Sequence, residues 1–334
     1  MAHNIDTMMY VGNTPWHGKG TPLQSPPTIN EALELSGLNW NVYKKQTYYY
    51  KNNAEATPTG HYVTTRDDTE AVLGNVSKRY TILQNKEAFQ PFEPMLDMGF
   101  KLETAGSILG GKMVWILAKS PEKYLVGDDG IQRYVFMYTS HDGSAGNCFR
   151  DTGIRIVCNN TLNFALNNTG TFNYQIKHTA SIKDKVKQLK DNIVNSNDNF
   201  KQAIDTMNRF KEQSFNEKQA GVYFEAVIPF LIKENREKIS KAELGIHTRN
   251  TALPVWNKLH SLFKNGKGNQ GKTLWDAYNA ITEYYDHETT PKDWVKYNQF
   301  GQGFTYKTRA FDYANRVVKH SAQNKVAKHQ MRFN

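Results

Sequence analysis

FKLETAGSI (100–108), GKMVWILAK (111–119) and QRYVFMYTS (132–140) are the three stretches that decide the fold of this chain. Each is rich in the β-branched and aromatic residues that favour extended strands. Gly110-Gly111 separates the first two stretches, and Gly127-Asp128-Asp129-Gly130 precedes the third. Because such glycine-rich turns are typical of tight hairpins, the sequence predicts an antiparallel β-meander.

The sequence before the meander predicts one further strand and two short helices. LNWNVYKKQTYYYK (38–51) has the composition of a strand. TINEALELSG (28–37) predicts a helix that ends at its own final glycine, and residues 85–99 predict a second helix. Pro91 and Pro94 shorten or kink this second helix, because proline removes a backbone donor and clashes with the preceding turn.

From Ser181 onward the apolar residues recur with the period of a helix. Their spacing predicts one long amphipathic helix whose apolar stripe comprises Ile182, Val186, Leu189, Ile193, Phe200, Ile204, Met207 and Phe210. A capping box at Ser214-Phe215-Asn216-Glu217 predicts the start of the next helix, which Pro229 kinks or ends. The remaining helices are expected at residues 248–264, 272–287 and 307–322.

These elements define an α+β fold, with an N-terminal antiparallel β-meander and short helices followed by a largely helical C-terminal half. Between the halves, TGIRIVCNNTLNFALNN (152–168) predicts a strand that passes into a helix near Asn159 to Thr161, since Asn and Thr are capping residues. The change near residue 180 either separates two domains or marks the passage of one domain from sheet to covering helices. The regions expected are a β-rich part at 1–180, a helical part packing on it at 181–322, and a basic, mobile tail at 323–334.

The composition favours a globular protein of a reducing compartment. Hydrophobic residues make up 39% of the chain and charged residues 22%. The start MAHNIDTMMY lacks the basic and apolar segments of a secretion signal, and no apolar run approaches the roughly 18 residues of a membrane span. Two cysteines, Cys148 and Cys158, are too few for a disulfide framework. We therefore expect a cytoplasmic protein with no membrane association.

The net charge of +10 is unevenly distributed along the chain. Residues 1–150 hold 14 Lys and Arg against 15 Asp and Glu, a net charge of −1, whereas residues 151–334 hold 28 against 17, a net charge of +11. A positive field of this kind attracts polyanions. Nucleic acid is therefore the favoured partner, and a well-solvated surface is the alternative.

Residues Gly266 to Thr273 match the P-loop pattern G-x-x-x-x-G-K-[ST]. A phosphate-binding loop follows a buried strand, but LPVWNKLHSLFKN (253–265) has helical spacing. We therefore interpret the match as a loop between two helices and expect no nucleotide cofactor. Its backbone amides, with Lys267 and Lys272, could still hold a backbone phosphate at the start of the next helix.

A second candidate site lies at the end of a predicted strand, where His141 and Asp142 occur in a turn. One hypothesis is that these two residues and Glu103 are the catalytic residues of a metal-dependent nuclease. Neither cysteine belongs to a C-x-x-C pair, so no metal is expected. An Asp-Gly turn that closes a hairpin is the alternative interpretation, and it favours a non-enzymatic protein.

Cationic, amide and aromatic residues at several points suit a nucleic acid, because arginine and lysine bind phosphates and aromatic rings stack on bases. The alternative is that they cap helices and fill the core. The first group surrounds the meander and comprises Lys78, Arg79, Tyr80, Arg150, Arg155, Asn159 and Asn160. The second group lies near the C-terminus and comprises Phe304, Lys307, Arg309, Arg316 and Lys319.

Several blocks, taken in order, resemble the phage/plasmid-like proteins grouped as domain of unknown function 932. The blocks are Pro15-Trp16-His17-Gly18, VSKRYTILQNKEAF (76–89), ETAGSILGGKMVW (103–115), TSHDGS (139–144), IRIVCNNTLNFAL (154–166), IKHT (176–179) and TLWDAYNAITEYYDH (273–287). The resemblance implies a protein of a mobile element that works in bacterial cytoplasm. A meander followed by helices is also similar in architecture to phage single-strand annealing proteins.

Three functional hypotheses follow. The leading one is a non-enzymatic, homo-oligomeric accessory protein that binds single-stranded DNA in recombination or replication. The second is a metal-dependent nuclease or nucleotide-processing enzyme. The third is an anti-defence protein that binds a host factor.

Overall fold

The computed structural model describes most of the chain. For residues 155, 160–162, 173, 190–196, 322 and 324–330 it describes the backbone alone. The described residues are 5–12, 14–15, 18–50, 55–155, 160–162, 173–232, 252–291, 297–298 and 301–330.

Strands and helices alternate only in the first half of the described chain. The strands are β1 Ile5–Val11, β2 Thr21–Leu23, β3 Val42–Tyr49, β4 Thr57–Arg66, β5 Val72–Val76, β6 Lys101–Ile108, β7 Met113–Val126, β8 Asp129–Ser140, β9 Asn147–Arg155, β10 Asn160–Leu162 and β11 Asn173–Ile176. The α-helices are α1 Ile29–Leu35, α2 Asn85–Phe89, α3 Glu93–Asp97, α4 Ile182–Glu212, α5 Glu217–Val227, α6 Ala252–Asn265, α7 Leu274–Glu283 and α8 Gln302–Gln330. Two 3₁₀ turns, Gln90–Phe92 and Pro229–Leu231, and a π-helical turn, Tyr284–Glu288, complete the set.

The predicted meander is the centre of the larger sheet, whose order is β10-β9-β8-β7-β6-β1-β2 with β11 also paired to β9. Strands β6 to β9 are antiparallel neighbours, and only β1 and β2 run parallel among the described pairs. Gly110 and Gly111 adopt positive φ angles of 72° and 87° at the β6–β7 turn, a conformation that glycine adopts without strain. The α+β fold class is thereby confirmed.

A second, three-stranded sheet has the order β3-β4-β5. It packs closely on the loop that follows β8, because a Cβ atom added to Gly74 would lie only 2.5 Å from the Cα of Asp142. A side chain at position 74 would therefore push the two apart. This contact places the end of β5 beside the residues that follow Ser140 in the larger sheet.

Helix α4 joins the two main parts of the hydrophobic core. Its first turns bury Ile182, Val186 and Leu189 with α1, α2 and α3 against one face of the larger sheet. Its last turns pack Phe200 to Phe210 into a second cluster, which holds α5 to α8 and the tip of the β7–β8 hairpin. Helix α4 spans 31 residues, and its described apolar side chains pack in both clusters.

The structure corrects two local predictions. Asn160 and Thr161 do not start a helix, because they lie in β10 and pair with Arg155 and Ile154 of β9; Asn159 lies outside the described residues. The cap of α5 is Asn216, whose side chain accepts from the Gln219 amide, rather than Ser214.

The helices at residues 85–99 are short, as predicted, and the last described helix is longer than predicted. The region 85–99 divides into α2, a 3₁₀ turn and α3 at its prolines. The last described helix begins at Gln302 and continues to Gln330, beyond the expected range of 307–322. Of the described helices, none is both long and apolar enough to cross a membrane.

Candidate functional site

A cleft of about 370 Å³ opens where three distant chain segments meet at one end of the larger sheet. The first segment follows β5, the second connects β8 to β9, and the third follows β11. We call this feature the cleft; it is lined by Ser77, Arg79, Tyr80, Gly143, Ser144, Ala145, Gly146, Gln175, Lys177, His178 and Thr179.

Two stacked rings form the floor of the cleft. The rings of Tyr80 and His178 are nearly parallel, at 16°, with their centres 4.6 Å apart. The Tyr80 hydroxyl donates to the carbonyl of Ser140 at 2.8 Å. Both side chains are almost completely buried, so the floor presents little ring surface to a ligand.

Both ring nitrogens of His178 are hydrogen-bonded, and burial favours its neutral form. Its Nδ1 lies 3.0 Å from the carbonyl oxygen of Thr81, which can only accept, so Nδ1 carries the proton. Its Nε2 then accepts from the hydroxyl of Thr139 at 3.2 Å. Burial lowers the pKa of His178, and the Thr81 carbonyl partly opposes that shift. With both nitrogens engaged, His178 serves to position the floor.

A second buried histidine lies under the cleft. Asn85 donates its amide to the carbonyl of Leu38 and accepts from the Nε2 of His141 at 2.8 Å, while Nδ1 of His141 has no hydrogen-bond partner among the residues that the structure describes. Burial, with His178 nearby, lowers the pKa of His141 to about 3. The backbone of His141 is fixed as well, by Thr64 and Lys112. This residue is therefore neutral and structural in its setting.

Cations surround the rim of the cleft. Arg79 and Lys177 line it and are exposed, and Lys78 is exposed next to Arg79. Lys44 of β3 reaches the same rim, where its Nζ donates to the carbonyls of Lys78 and Tyr80 at 2.9 Å each. The neighbouring carboxylate of Asp142 accepts from the Ser144 amide at 2.8 Å and so closes the turn. The rim therefore offers several positive charges within one concave surface.

A family model described as "Domain of unknown function (DUF932)" matches residues 72–328. The chain belongs to the DUF932 family. Comparison with curated proteins and with solved structures found no match. The matched region includes all three segments of the cleft, whereas β3 and β4 precede it.

In this DUF932 chain the P-loop-like segment connects α6 to α7, and acidic side chains of the chain itself use its amides. The carboxylate of Asp276 accepts from the amides of Lys272 and Thr273 at 3.0 Å each. A Cβ on Gly266 would lie 2.6 Å from Glu283, whose carboxylate also accepts from the Lys267 amide. Carboxylates of the chain therefore accept from the amides at which a phosphate was expected, and the side chains of Lys267 and Lys272 are exposed.

Three residues predicted to contact nucleic acid instead join α8 to the rest of the fold. The guanidinium carbon of Arg150 lies 3.8 Å from the ring centre of Phe304, and Arg150 is only 6% exposed. The Nζ of Lys307 lies 2.6 Å from Asp286, and both side chains are buried. Burial lowers the pKa of Lys307, while Asp286 opposes the shift. Buried as they are, Arg150 and Lys307 are not available to phosphates.

The other predicted contacts are scattered. Arg309 and Arg316 lie over the ring of Tyr313 in α8, at 5.7 and 5.1 Å, and Lys319 is exposed further along that helix. Arg155 lies in β9, where the structure describes its backbone alone, and the same holds for Asn160 in β10. These residues are therefore not brought into the cleft by any described contact.

The alternative catalytic set does not converge. His141 follows Ser140, the last residue of β8. Ser140 pairs with Met113 of β7, which in turn pairs with Ile108 of β6. Glu103 lies five residues before Ile108 in β6, which places it roughly 17 Å from Ile108 at about 3.3 Å per residue. Its carboxylate lies 3.6 Å from the Nζ of Lys119. Within the described part of the chain, no three His, Cys, Asp or Glu side chains are grouped as metal ligands. The described geometry gives the nuclease hypothesis no support.

Sequence reasoning identified Lys78, Arg79 and Tyr80 but assigned no role to Lys177, His178 or Lys44. The one available signal for Lys177 and His178 was the family-like block IKHT at 176–179. Nothing in the local sequence of Lys44 indicates that it reaches a carbonyl 36 residues away.

Proposed function

We propose that this DUF932 chain is a nucleic-acid-binding accessory protein that holds single-stranded DNA in the cleft. The observation that carries the proposal is that Arg79 and Lys177, about a hundred residues apart in the chain, line the same cleft, with Lys78 exposed next to Arg79. Lysine and arginine on a concave surface bind a phosphate backbone by charge and release its counterions.

The character of the cleft supports binding rather than chemistry. His178 has both ring nitrogens engaged, Tyr80 donates its hydroxyl to a backbone carbonyl, and His141 is buried beneath them. None of the three is positioned as a nucleophile or as a base open to a substrate. As part of the same proposal, the protein acts as a homo-oligomer in recombination or replication in bacterial cytoplasm, and the resemblance to phage and plasmid proteins is in line with that role.

Fluorescence anisotropy with a labelled DNA oligonucleotide, titrated over a series of salt concentrations, tests the proposal. We expect the logarithm of the affinity to fall linearly with the logarithm of the salt concentration. The slope should be about −0.7 for each phosphate contacted on a single strand. Absence of binding at low salt, or an affinity that does not change with added salt, contradicts the proposal. Incubation of the same oligonucleotide with Mg²⁺ or Mn²⁺ should leave it intact, and cleavage would favour the nuclease hypothesis instead.

A further inference from the structure

A tyrosine-rich ribbon projects beside the cleft. We use this name for β3 and β4, which form an antiparallel pair. Tyr48 is 52% exposed and Tyr49 is 51% exposed, and Tyr43 (52%) and Tyr50 (72%) are exposed with them. Large aromatic side chains that are exposed together on one element often mark an interaction surface.

The register of the ribbon sorts these residues onto two faces. Between the pairs Gln46↔Tyr62 and Tyr48↔Pro58, β3 advances two residues while β4 advances four, so the extra residues are in β4. Because alternate residues of a strand share a face, Tyr48 lies on the same face as Lys44. The Nζ of Lys44 lies 5.3 Å from the ring centre of Tyr62, which confirms that these two residues share that face.

This face leads directly into the cleft. The last residue of β5, Val76, pairs with Tyr62, and the chain then continues into the cleft segment that begins at Ser77. Lys44 crosses the remaining gap, since its Nζ bonds to carbonyls of that segment. Among the described residues, two strands make up the ribbon beyond Tyr62, and Tyr48 lies in that projecting part.

Strands β3 and β4 carry a net positive charge, since they contain Lys44, Lys45, His61 and Arg66 and no Asp or Glu. The loop between them contributes Lys51 and Glu55, whose charges cancel. The acids after β4 occupy the turn toward β5, at the end opposite the projecting part, where Asp68 pairs with Arg66, Glu70 pairs with Lys45 and Asp67 accepts hydrogen bonds from Asn41. The cation of the ribbon next to the cleft is Lys44.

We infer that the ribbon is a stacking platform for unpaired bases of a nucleic acid whose phosphates lie in the cleft. Exposed tyrosine rings beside a cationic groove are the combination by which proteins hold single strands without sequence preference. A base within a duplex is already stacked on its neighbours, so the platform selects unpaired nucleotides. This inference rests on the proposed function and adds to it the residues that recognise unpaired bases.

Three labelled probes of equal length separate base stacking from phosphate binding: a single strand with bases, a single strand of abasic sites, and a duplex. We expect the wild-type chain to prefer the base-bearing single strand. The variant Tyr48→Ala should lose at least about fivefold of that preference over the abasic strand, the lower limit for one stacked base. Its affinity for the abasic strand and its salt dependence should be unchanged, because the cleft is intact.

Two further variants control the experiment. Tyr48→Phe keeps the ring and should bind like the wild type. Leu125→Ala removes another exposed apolar side chain, on the β7–β8 hairpin and outside the ribbon, and should change nothing. Because both side chains are exposed, each variant should unfold at the wild-type temperature.

The outcomes distinguish this inference from the proposed function. If the alanine variant prefers the base-bearing strand as strongly as the wild type does, the stacking platform is overturned and the cleft remains the proposed binding site. Failure of the wild-type chain to bind any probe overturns the proposed function and this inference with it. A change in self-association of the alanine variant, with DNA binding unaffected, would identify the ribbon as a contact between copies of the chain and would also overturn the inference.

Discussion

The ring of Tyr80 stacks on the imidazole of His178, with 4.6 Å between their centres, although 98 residues separate them in the sequence. Backbone hydrogen bonding reinforces the stack, since the amide of Thr81 donates to the carbonyl of His178 at 3.1 Å. This pair ties the segment after β5 to the segment after β11. It is therefore the contact that closes the cleft and sets the separation of the cations on its rim.

Replacement of Tyr80 by Phe should affect stability and not DNA binding. The variant keeps the stacked ring and loses the hydrogen bond to Ser140, which costs about 1 kcal/mol in the free energy of unfolding. Urea denaturation measures the loss, and anisotropy with labelled DNA should give the wild-type affinity. If the phenylalanine variant instead bound DNA more weakly at unchanged stability, the hydroxyl would be a DNA contact and its place in the floor would be wrong.

Stability should fall as the pH is lowered from about 6.5. The pKa of His141 is about 3 in the folded chain and 6.5 when unperturbed, so between these values the unfolded chain binds a proton that the folded chain does not. Each pH unit below 6.5 therefore lowers the free energy of unfolding by about 1.4 kcal/mol. The lowered pKa of His178 acts in the same direction.

The variant His141→Gln tests this pH dependence, because glutamine can still donate to Asn85 and cannot titrate. Its free energy of unfolding, measured by urea denaturation from pH 7 to pH 4, should depend less steeply on pH than that of the wild type. Parallel curves for the two proteins would show that His141 is not the source of the acid sensitivity.

Replacement of Asp286 by Ala should destabilise the chain strongly. The variant leaves the buried ammonium of Lys307 without its partner, and breaking a buried ion pair from one side costs about 3–5 kcal/mol. The double replacement Asp286→Leu/Lys307→Met removes both charges and should be closer to the wild type in urea denaturation. An equal loss in both variants would mean that packing rather than the uncompensated charge sets the cost.

The loop at 266–273 should not respond to nucleotides. Because Asp276 already accepts from the amides of Lys272 and Thr273, Mg²⁺-ATP at millimolar concentration should leave the unfolding temperature of the wild-type chain unchanged. Asp276→Ala should lower the free energy of unfolding by about 1–2 kcal/mol, as expected for loss of a helix cap. A rise in the unfolding temperature with ATP would restore the P-loop interpretation.

The fold could be predicted where local sequence decides it. The β6–β7 hairpin depends on Gly110 and Gly111, and the division of the region 85–99 depends on Pro91 and Pro94. The prediction was wrong at Asn160, which has the identity of a helix cap but pairs with β9. A strand that forms by pairing with a neighbour carries little local signal, since the partner supplies half of its hydrogen bonds.

The site could be predicted only in part, for a related reason. The cations and aromatic rings of α8 fit a binding surface and a packed interface equally well in sequence, and Lys307 and Phe304 proved to be packed against Asp286 and Arg150. Lys177 reaches the cleft because β11 pairs with β9, a contact that no local pattern indicates. Arg79 was identified because its sequence neighbours already combined cations with an aromatic residue.

The most direct measurement of the central claim compares the salt dependence of DNA binding in two double variants. Arg79→Gln/Lys177→Gln removes two cations from the rim of the cleft, and Lys201→Gln/Lys218→Gln removes two exposed lysines from α4 and α5. We expect the first to reduce the slope of log affinity against log salt by about 1.4 in magnitude and the second to leave it unchanged. Equal slopes in the two variants would contradict the claim that the cleft holds the phosphate backbone.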